Sequence, residues 1–300
     1  MYYLTQKVRP TAGSPEVYEN IGRALRRLSD ASADLVFEPE RHIYILAGRE
    51  LRSVSSIVES YSTFDEVATA KTCVANPKSK YYGMNVEDVL KGWEENAKTA
   101  ADAGTLVHEF AEMCYLWSKN CEDEIDPRFR DRITAQGLAA ESPKEIAVAK
   151  WWDNLDWNRY IPVAKENRIV NPVLRYAGTF DLLLYDTFTG TFVIRDWKTN
   201  KDLYSWHGDW MKGGFHKILK DNDEGHYTLQ QILYAIEIQN LGIPVSEAKL
   251  VWLKEDSEYE EYEINMKMQN LILNVITRDL NTQVSQVKNV VPTDVRSGLA

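Results

Sequence analysis

Residues 178–198 read GTFDLLLYDTFTGTFVIRDWK and consist of two apolar stretches joined by a short polar segment. Strands are predicted over residues 178–185 and 191–198, and residues 186–190 provide the turn between them. The two strands are therefore expected to run antiparallel as neighbours in one sheet. This hairpin decides the fold, because the charged residues of the stretch lie where the apolar strands begin and end.

The charged side chains of this hairpin are expected to meet at one end of the sheet. Asp196 and Lys198 share a face of the second strand, because side chains alternate along a strand. The antiparallel return brings Asp181 alongside them. Two carboxylates and an ammonium so placed can hold a divalent cation and activate a water beside a phosphate. The alternative is a surface ion pair of Asp196 with Lys198, which would contribute about 0–1 kcal/mol and would not explain Asp181.

The rest of the chain supplies helices and strands in mixed order. Helices are predicted over residues 15–28, 55–61, 86–101, 105–117, 151–160, 227–236 and 266–287. Further strands are predicted over residues 42–46, 51–54, 166–170, 249–254 and 259–264. Residues 121–146 are polar and rich in acids, which is typical of an insertion. The order predicts an α/β (α+β) fold with a central mixed β-sheet flanked by helices.

Composition bounds the class of protein. The 300 residues are 44% hydrophobic and 27% charged, which is enough for one large globular domain. No run approaches the roughly 18 apolar residues of a membrane helix, and the start has no apolar signal segment, so we expect a cytoplasmic protein with no membrane partner. Cys73, Cys114 and Cys121 form no closely spaced pair of the kind that binds zinc or an iron–sulfur cluster.

Charge argues against diffuse binding of nucleic acid but leaves room for a local site. The net charge is −10, whereas residues 195–220 carry six basic and three acidic side chains. Aromatic residues are interleaved with these charges, among them Trp206 and Trp210, and a base stacked on such a ring is stabilised by about 1–3 kcal/mol. A surface loop with buried tryptophans is the alternative.

Two helices carry polar faces beside this hairpin. His108 and Glu112 are four residues apart and lie one above the other on the polar face of their helix. Gln230 and Tyr234 are related in the same way on a later helix, where an amide and a phenol could bind a phosphate or orient the lysine. Taken alone, an incidental pair on a solvated helix face is the better explanation for His108 and Glu112, and an ordinary polar stripe explains Gln230 and Tyr234 equally well.

Four motifs in order resemble the PD-(D/E)XK nuclease superfamily, in the branch with RecB-like domains and phage-type or mitochondrial-type DNA exonucleases. The first is the glycine–histidine–glutamate helix of residues 104–112, and the second is the Gly178–Asp181 segment. The third is Asp196-Trp197-Lys198-Thr199, and the last is the glutamine–tyrosine pair of residues 230–234. The resemblance covers residues 104–234, about the central half of the chain.

The resemblance implies a restriction-endonuclease-like core over residues 86–265 of a single domain spanning 1–300. Residues 1–85 would be N-terminal scaffold elements, largely helical additions, and residues 266–300 a C-terminal helix and tail. It also implies DNA as the partner, with single-stranded or duplex ends as the substrate and a recombination or replication protein as an associate. The chain lacks the clustered cysteines with which some relatives bind an iron–sulfur cluster.

The resemblance also assigns roles to residues. Asp181, Asp196, Lys198 and His108 would be catalytic, and Mg²⁺ or Mn²⁺ would be the cofactor. The metal ligands would be Asp181, Asp196, His108, the backbone carbonyl of Trp197 and, as a further candidate, Glu112. The substrate would contact Gln230, Tyr234, Thr199, Lys201, Trp206 and Trp210. Glu166, fifteen residues before Asp181, is a weaker candidate, since a glutamate at a strand edge explains it nearly as well.

The expected activity is a metal-dependent DNA exonuclease of recombination, repair or replication, of a phage type that would act in the host cytoplasm. A structure-specific endonuclease is one alternative. The other belongs to a different class: a catalytically silent nucleic-acid-binding or scaffold module of a helicase or recombinase complex. The clustered carboxylates argue against the silent module, because a binding surface gains nothing from negative charge that faces phosphate.

Overall fold

The computed structural model describes residues 2–7, 14–41, 43–203 and 209–288. Its helices are α1 Pro15–Ser32, α2 Val54–Glu59, α3 Glu66–Ala75, α4 Val86–Ser118, α5 Pro127–Arg130, α6 Pro143–Asn154, α7 Asp223–Asn240 and α8 Gln269–Lys288. Its strands are β1 Tyr2–Leu4, β2 Leu35–Glu38, β3 Ile43–Leu46, β4 Arg49–Ser53, β5 Ile133–Thr134, β6 Gly137–Ala140, β7 Tyr160–Asn171, β8 Tyr176–Asp186, β9 Thr191–Lys198, β10 Val245–Leu253 and β11 Tyr259–Glu263.

The large sheet is mixed, as predicted. Strands β7, β8 and β9 form an antiparallel meander, and β10 runs parallel to β9 after the crossover through α7. Strand β11 closes one edge antiparallel to β10. The hairpin and turn predicted over residues 178–198 are confirmed, and β9 has the predicted bounds. Strand β7 is longer than predicted, since it begins at Tyr160 and ends at Asn171.

The N-terminal third adds strands to this sheet as well as helices. Strands β2, β3 and β4 form an antiparallel meander, and β4 then pairs in parallel with the start of β8 through Arg52 and Ser53. The predicted strands near residues 43–53 are thus confirmed, while His42 lies outside the described residues. Helix α1 begins as predicted, with Ser14 as its N-cap and Pro15 in its first turn.

Helix α4 corrects the prediction of two separate helices. Residues 102–104, which include Gly104, were expected to separate them, but the helix is continuous over 33 residues, about 50 Å. One glycine costs a helix only about 1 kcal/mol, and the apolar stripe of the C-terminal half compensates because it is buried. Val107, Phe110 and Cys114 of that stripe pack in the core.

The segment 121–146, predicted as an insertion, contains a second small sheet. Strand β6 lies between β1 and β5, and all four of its residues are buried. Its pairing with the N-terminal strand could not be predicted, because the partners are more than 130 residues apart. Helix α6 follows and begins with a capping box formed by Ser142 and Glu145. It ends at Asn154, so the predicted helix over 151–160 is placed too late.

Two apolar cores cover the two faces of the large sheet. One packs α1, α2, α7 and α8 against side chains such as Ile194 and Leu250. The other packs α4 and α6 against side chains such as Val193 and Val251. The sheet is therefore enclosed by these two cores, and α4 and α7 approach the end where β8 begins and β9 ends.

Among the helices of the described ranges, none combines the length and apolar character required to cross a bilayer.

Candidate metal centre

Three acidic residues lie at one level across three neighbouring strands. The register of β7 and β8 pairs Lys165 with Leu182 and Asn167 with Phe180, which puts Glu166 level with Asp181. The register of β8 and β9, continued by one residue, puts Asp181 level with Asp196. The carboxylates therefore converge because of strand pairing, and the expected meeting of Asp181 with the end of β9 is present.

The polar face of α4 brings an imidazole to this level. His108 Nδ1 lies 3.5 Å from Asp181 Oδ2 and 3.8 Å from Glu166 Oε1. One ligand atom from each of these three residues lies within 4.8 Å of the others. Burial of the neighbouring Val107 and Phe110 fixes the rotation of α4, so that His108 faces the sheet. Glu166, the weaker candidate, thus belongs to the group.

Glu166 also has an unusual backbone conformation. Its φ of 41° is in the left-handed region, where a residue other than glycine costs about 1–3 kcal/mol. Strain of this kind persists only where surrounding structure enforces it, and the pairing of β7 with β8 continues on both sides of the residue. Glu166 thus combines a strained backbone with a carboxylate that lies close to His108.

The electrostatics of the group favour protons in the absence of a cation. Burial and the nearby Asp196 raise the pKa of Asp181 well above its usual value, although His108 and Lys198 act in the opposite direction. Burial alone would lower the pKa of His108, but the carboxylates of Asp181 and Glu166 prevail and raise it to about 9. Asp181 Oδ2 also accepts a 2.7 Å hydrogen bond from the Trp197 amide, which anchors it to β9.

The acid and the lysine of β9 form a buried pair beside this group. Asp196 Oδ2 lies 2.5 Å from Lys198 Nζ, and Asp196 Oδ1 accepts a 2.6 Å hydrogen bond from Gln231 Nε2. Burial alone would lower the pKa of Lys198, yet the Asp196 carboxylate reverses this and raises it above its usual value. The lysine therefore stays protonated through the neutral range.

Helix α7 holds the lysine from the other side. Lys198 Nζ donates a 3.1 Å hydrogen bond to Gln230 Oε1, and Gln230 Nε2 donates one of 3.3 Å to the Tyr234 hydroxyl. Burial raises the pKa of Tyr234 well above its usual value, so its hydroxyl keeps its proton. The predicted glutamine and tyrosine thus lie in contact with one another and with the lysine.

The segment after β9 is held close to the lysine. Lys198 Nζ lies 4.2 Å from the centre of the Tyr227 ring, and the Tyr227 hydroxyl donates a 2.7 Å hydrogen bond to Asn200 Oδ1. The Asn200 carbonyl accepts a further 2.7 Å hydrogen bond from the Trp252 indole. Thr199 lies against α4, where a side chain at Gly104 would come within 3.2 Å of the threonine hydroxyl.

Other predicted residues lie apart from the group. Glu112 forms an ion pair with Lys165 and is not one of the three grouped ligands. Lys201 is exposed after β9, and Trp210 stacks with Lys220, whose Nζ lies 3.7 Å from its ring centre. Trp206 lies outside the described residues.

Sequence reasoning missed Gln231, Tyr227 and Lys165. Gln231 is a fully buried amide on a helix whose other buried residues are mostly apolar. A polar residue at a buried position of an amphipathic helix is a signal that it has a polar partner, and Asp196 is that partner here. Lys165 neutralises Glu112, which explains why this acid does not reach the group.

The donor set fits a small hard divalent cation. Two carboxylates and one imidazole suit Mg²⁺ or Mn²⁺, and the nitrogen ligand is better matched to manganese. Both oxygens of Asp196 contact Lys198 and Gln231, so its predicted role as a ligand would require the lysine to move. That role, and the role of the Trp197 carbonyl, stay predictions.

Comparison with known proteins gives distant structural similarity and no match in sequence. No protein-family model matches the chain, and no curated protein matches it in sequence. Among solved structures, a crystal structure of a "Putative exonuclease" from Eubacterium rectale shares 16% sequence identity with a TM-score of 0.40. The alignment covers 64% of this chain and 68% of that one. At this identity and TM-score, the similarity carries no conclusion about activity.

Proposed function

We propose that the chain is a metal-dependent nuclease that hydrolyses phosphodiester bonds in DNA. The observation that carries the proposal is the position of the buried Asp196–Lys198 pair beside the three ligands His108, Glu166 and Asp181. A structural ion pair would not need three further ionisable groups around it, least of all Asp181, whose ionised form is made costly by burial. A site for hydrolysis of an anion needs both a cation ligand set and a fixed positive donor.

The chain's own residues would have distinct tasks. His108, Glu166 and Asp181 would hold Mg²⁺ or Mn²⁺, which would supply positive charge to the phosphate and favour ionisation of a water. Lys198 is protonated, so it would donate a hydrogen bond to the attacking water or to the phosphate, and would not serve as a general base.

Asp196 and helix α7 would position the lysine. The carboxylate holds the ammonium from one side, and the Gln230 amide oxygen accepts from it on the other. Asp196, Gln230 and the Tyr227 ring hold the Lys198 ammonium in place, and this limits the reorganisation required during the reaction. Tyr234 fixes the orientation of the Gln230 amide through its hydroxyl.

The finer activity we propose is that of an exonuclease on DNA ends, acting in recombination, repair or replication, and of the phage type. Its support is the ordered resemblance of residues 104–234 to that branch of the PD-(D/E)XK superfamily. The local excess of positive charge over residues 195–220 supports a nucleic acid as the partner in spite of the net charge of −10.

The test is degradation of end-labelled linear DNA and of covalently closed single-stranded circles, with Mg²⁺ or Mn²⁺ and with chelator. We expect metal-dependent release of nucleotides from linear substrates, and slow or no cutting of circles. Rapid cutting of circles would replace the exonuclease by an endonuclease. If linear substrates are degraded from their ends, substrates with 5′ or 3′ overhangs would give the polarity of digestion.

Two variants test the residues. Asp196→Asn and Lys198→Ala should each abolish turnover, whereas Lys71→Ala, which removes the same charge as Lys198→Ala from an exposed position on α3, should not. Calorimetric titration of the wild-type protein with Mg²⁺ and Mn²⁺ addresses the silent module, because a protein that binds neither ion and cuts no substrate would be a binding module instead.

A further inference from the structure

Arg168 lies one step along the sheet from the metal centre. It is two residues after Glu166 in β7, and the β7–β8 register pairs it with Thr179, which is two residues before Asp181. Residues two apart in a strand lie on one face, about 7 Å from each other. Arg168 and Thr179 therefore form the next row on the face that carries Glu166 and Asp181.

No residue that the structure describes takes up the hydrogen-bonding capacity of the Arg168 guanidinium. The residue is exposed, and its charged group lies 5.5 Å from the centre of the Phe37 ring. Within the described ranges of the chain, this guanidinium forms no hydrogen bond or ion pair with another residue. By contrast, two lysines beside the candidate metal centre are paired, Lys165 with Glu112 and Lys198 with Asp196.

The surroundings of Arg168 orient it. Stacking on an aromatic face leaves the N–H groups of a guanidinium directed outward from the ring edges, in the geometry that binds two phosphate oxygens. The Thr179 hydroxyl is 2.9 Å from the Tyr44 hydroxyl, which anchors the threonine beside it. Both Arg168 and Glu166 influence the pKa of Tyr44, which burial raises, so Tyr44 lies near both rows.

We propose that Arg168, supported by Thr179, is a binding subsite for the phosphate that adjoins the scissile phosphodiester of a nucleic acid strand. The inference rests on the proposed function, since it takes the metal centre as the place of the scissile phosphate. The spacing of the two rows is comparable with the spacing of successive phosphates along an extended strand. An oxyanion is the chemistry recognised, and its source is either an internal phosphodiester or a terminal phosphate.

The experiment couples a protein change to a substrate change. Cleavage of end-labelled single-stranded DNA with Mg²⁺ is measured for oligonucleotides in which one linkage at a time is a neutral methylphosphonate. For the wild-type protein, neutralising one linkage next to the cleaved bond should lower kcat/KM about tenfold. Arg168→Ala should show the same loss on the native substrate and no further loss on the neutralised one.

The source of the anion is distinguished by a second pair of substrates. If Arg168 binds a terminal phosphate, then Arg168→Ala removes a preference for 5′-phosphate over 5′-hydroxyl ends, and no internal linkage is coupled to it. Either coupling supports the subsite. The subsite would be overturned if the loss from Arg168→Ala and the loss from the substrate change simply multiplied, for every neutralised linkage and for both kinds of 5′ end.

Controls separate this inference from the proposed function and from folding. Arg26→Ala removes the same charge from an exposed position on α1 and should behave as wild type. Arg168→Lys keeps the charge without the planar fork and should recover only part of the loss. The dependence of log kcat/KM on log salt should become shallower by about 0.7 in Arg168→Ala and stay unchanged in Arg26→Ala.

The outcomes assign failure clearly. If the wild-type protein cleaves no substrate with either metal, the proposed function is wrong. If it cleaves, and Arg168→Ala equals Arg26→Ala in rate, salt dependence and response to neutral linkages, then only the subsite is wrong. Thermal unfolding of each variant shows whether a loss of rate reflects a loss of structure.

Discussion

Gln231 Nε2 donates a 2.6 Å hydrogen bond to Asp196 Oδ1, while the preceding Gln230 accepts one from Lys198 Nζ. Two consecutive glutamines of one helix thus hold the two charged members of the β9 motif separately. Consecutive side chains on a helix point about 100° apart, which allows neighbours in sequence to reach different partners. Asp196 and Lys198 are therefore fixed as a pair by α7 and not only by their own strand.

Replacing Gln231 by leucine should lower both stability and turnover. The buried Asp196 carboxylate would lose a hydrogen bond to a charged group, which costs about 1.5–3 kcal/mol. Urea unfolding should show a free energy of unfolding that is lower by this amount, and therefore a lower midpoint. The kcat should fall because Asp196, the partner of Lys198, is no longer held by α7. Gln136→Leu, at an exposed position between β5 and β6, is the matched control. Equal midpoints for the two variants would contradict the role of Gln231.

Binding of the cation should release protons and should tighten as pH rises. Burial lowers the pKa of His108, but the carboxylates of Asp181 and Glu166 outweigh it and raise this pKa to about 9, so at neutral pH the imidazole holds a proton that a cation must displace. Burial and Asp196 raise the pKa of Asp181, which acts in the same direction. The affinity for Mn²⁺ should therefore increase from pH 6 toward pH 9. Calorimetry in two buffers of different ionisation enthalpy measures the protons released. A buffer-independent heat at pH 7 would show that none is displaced.

Replacing a proposed metal ligand should weaken cation binding more than replacing the neighbouring lysine. Asp181→Asn and Glu166→Gln should each weaken Mn²⁺ binding more than Lys198→Ala does, because the lysine is not a ligand. Asp181→Asn should also raise the stability of the metal-free protein above neutral pH. A carboxyl whose pKa is raised in the folded state contributes stability below its unfolded pKa, and this contribution is lost as pH rises from the unfolded pKa through the folded pKa, whereas asparagine does not ionise. Unfolding with chelator at pH 6 and pH 8 tests this sign.

Two glycines should respond to alanine in opposite directions. At Gly178, a Cβ would lie 2.7 Å from the Tyr234 ring and 3.0 Å from a Val54 methyl, so Gly178→Ala should destabilise the protein by about 1–3 kcal/mol. At Gly92, in α4, a Cβ would meet no atom within 4 Å, so Gly92→Ala should stabilise it by about 0.5–1 kcal/mol. Thermal unfolding of both variants would decide, and a stabilised Gly178→Ala would show that β8 and α7 are less closely packed.

Local pattern sufficed for elements whose own residues specify them. The alternating pattern of β9, the N-cap of α1 and the apolar face of α7 each predicted the element correctly. The mixed sheet followed from the order of strands and helices along the chain. The continuity of α4 was missed because the packing of α6 and the sheet outweighs a glycine, which sequence alone does not show.

Partners in the candidate site depend on register and on helix rotation. The level of Glu166 with Asp181 follows from a strand pairing that no local pattern fixes, so the glutamate was only a weak candidate. Gln231 was overlooked because two adjacent polar residues on a helix give no indication of which faces a buried carboxylate. The spacing of Asp196 and Lys198, by contrast, is local, and it placed both on one face correctly.

The short parallel pairing of Arg52–Ser53 with Tyr176–Ala177 joins two strands that are synthesised at different times. More than 120 further residues must be synthesised before β4 can pair with β8. During this time the edge of β4 in the β2–β4 meander has no strand to pair with. A nascent chain arrested before residue 176 should consequently be cut rapidly by proteases within β2, β3 and β4, whereas the released full-length chain should resist cutting there.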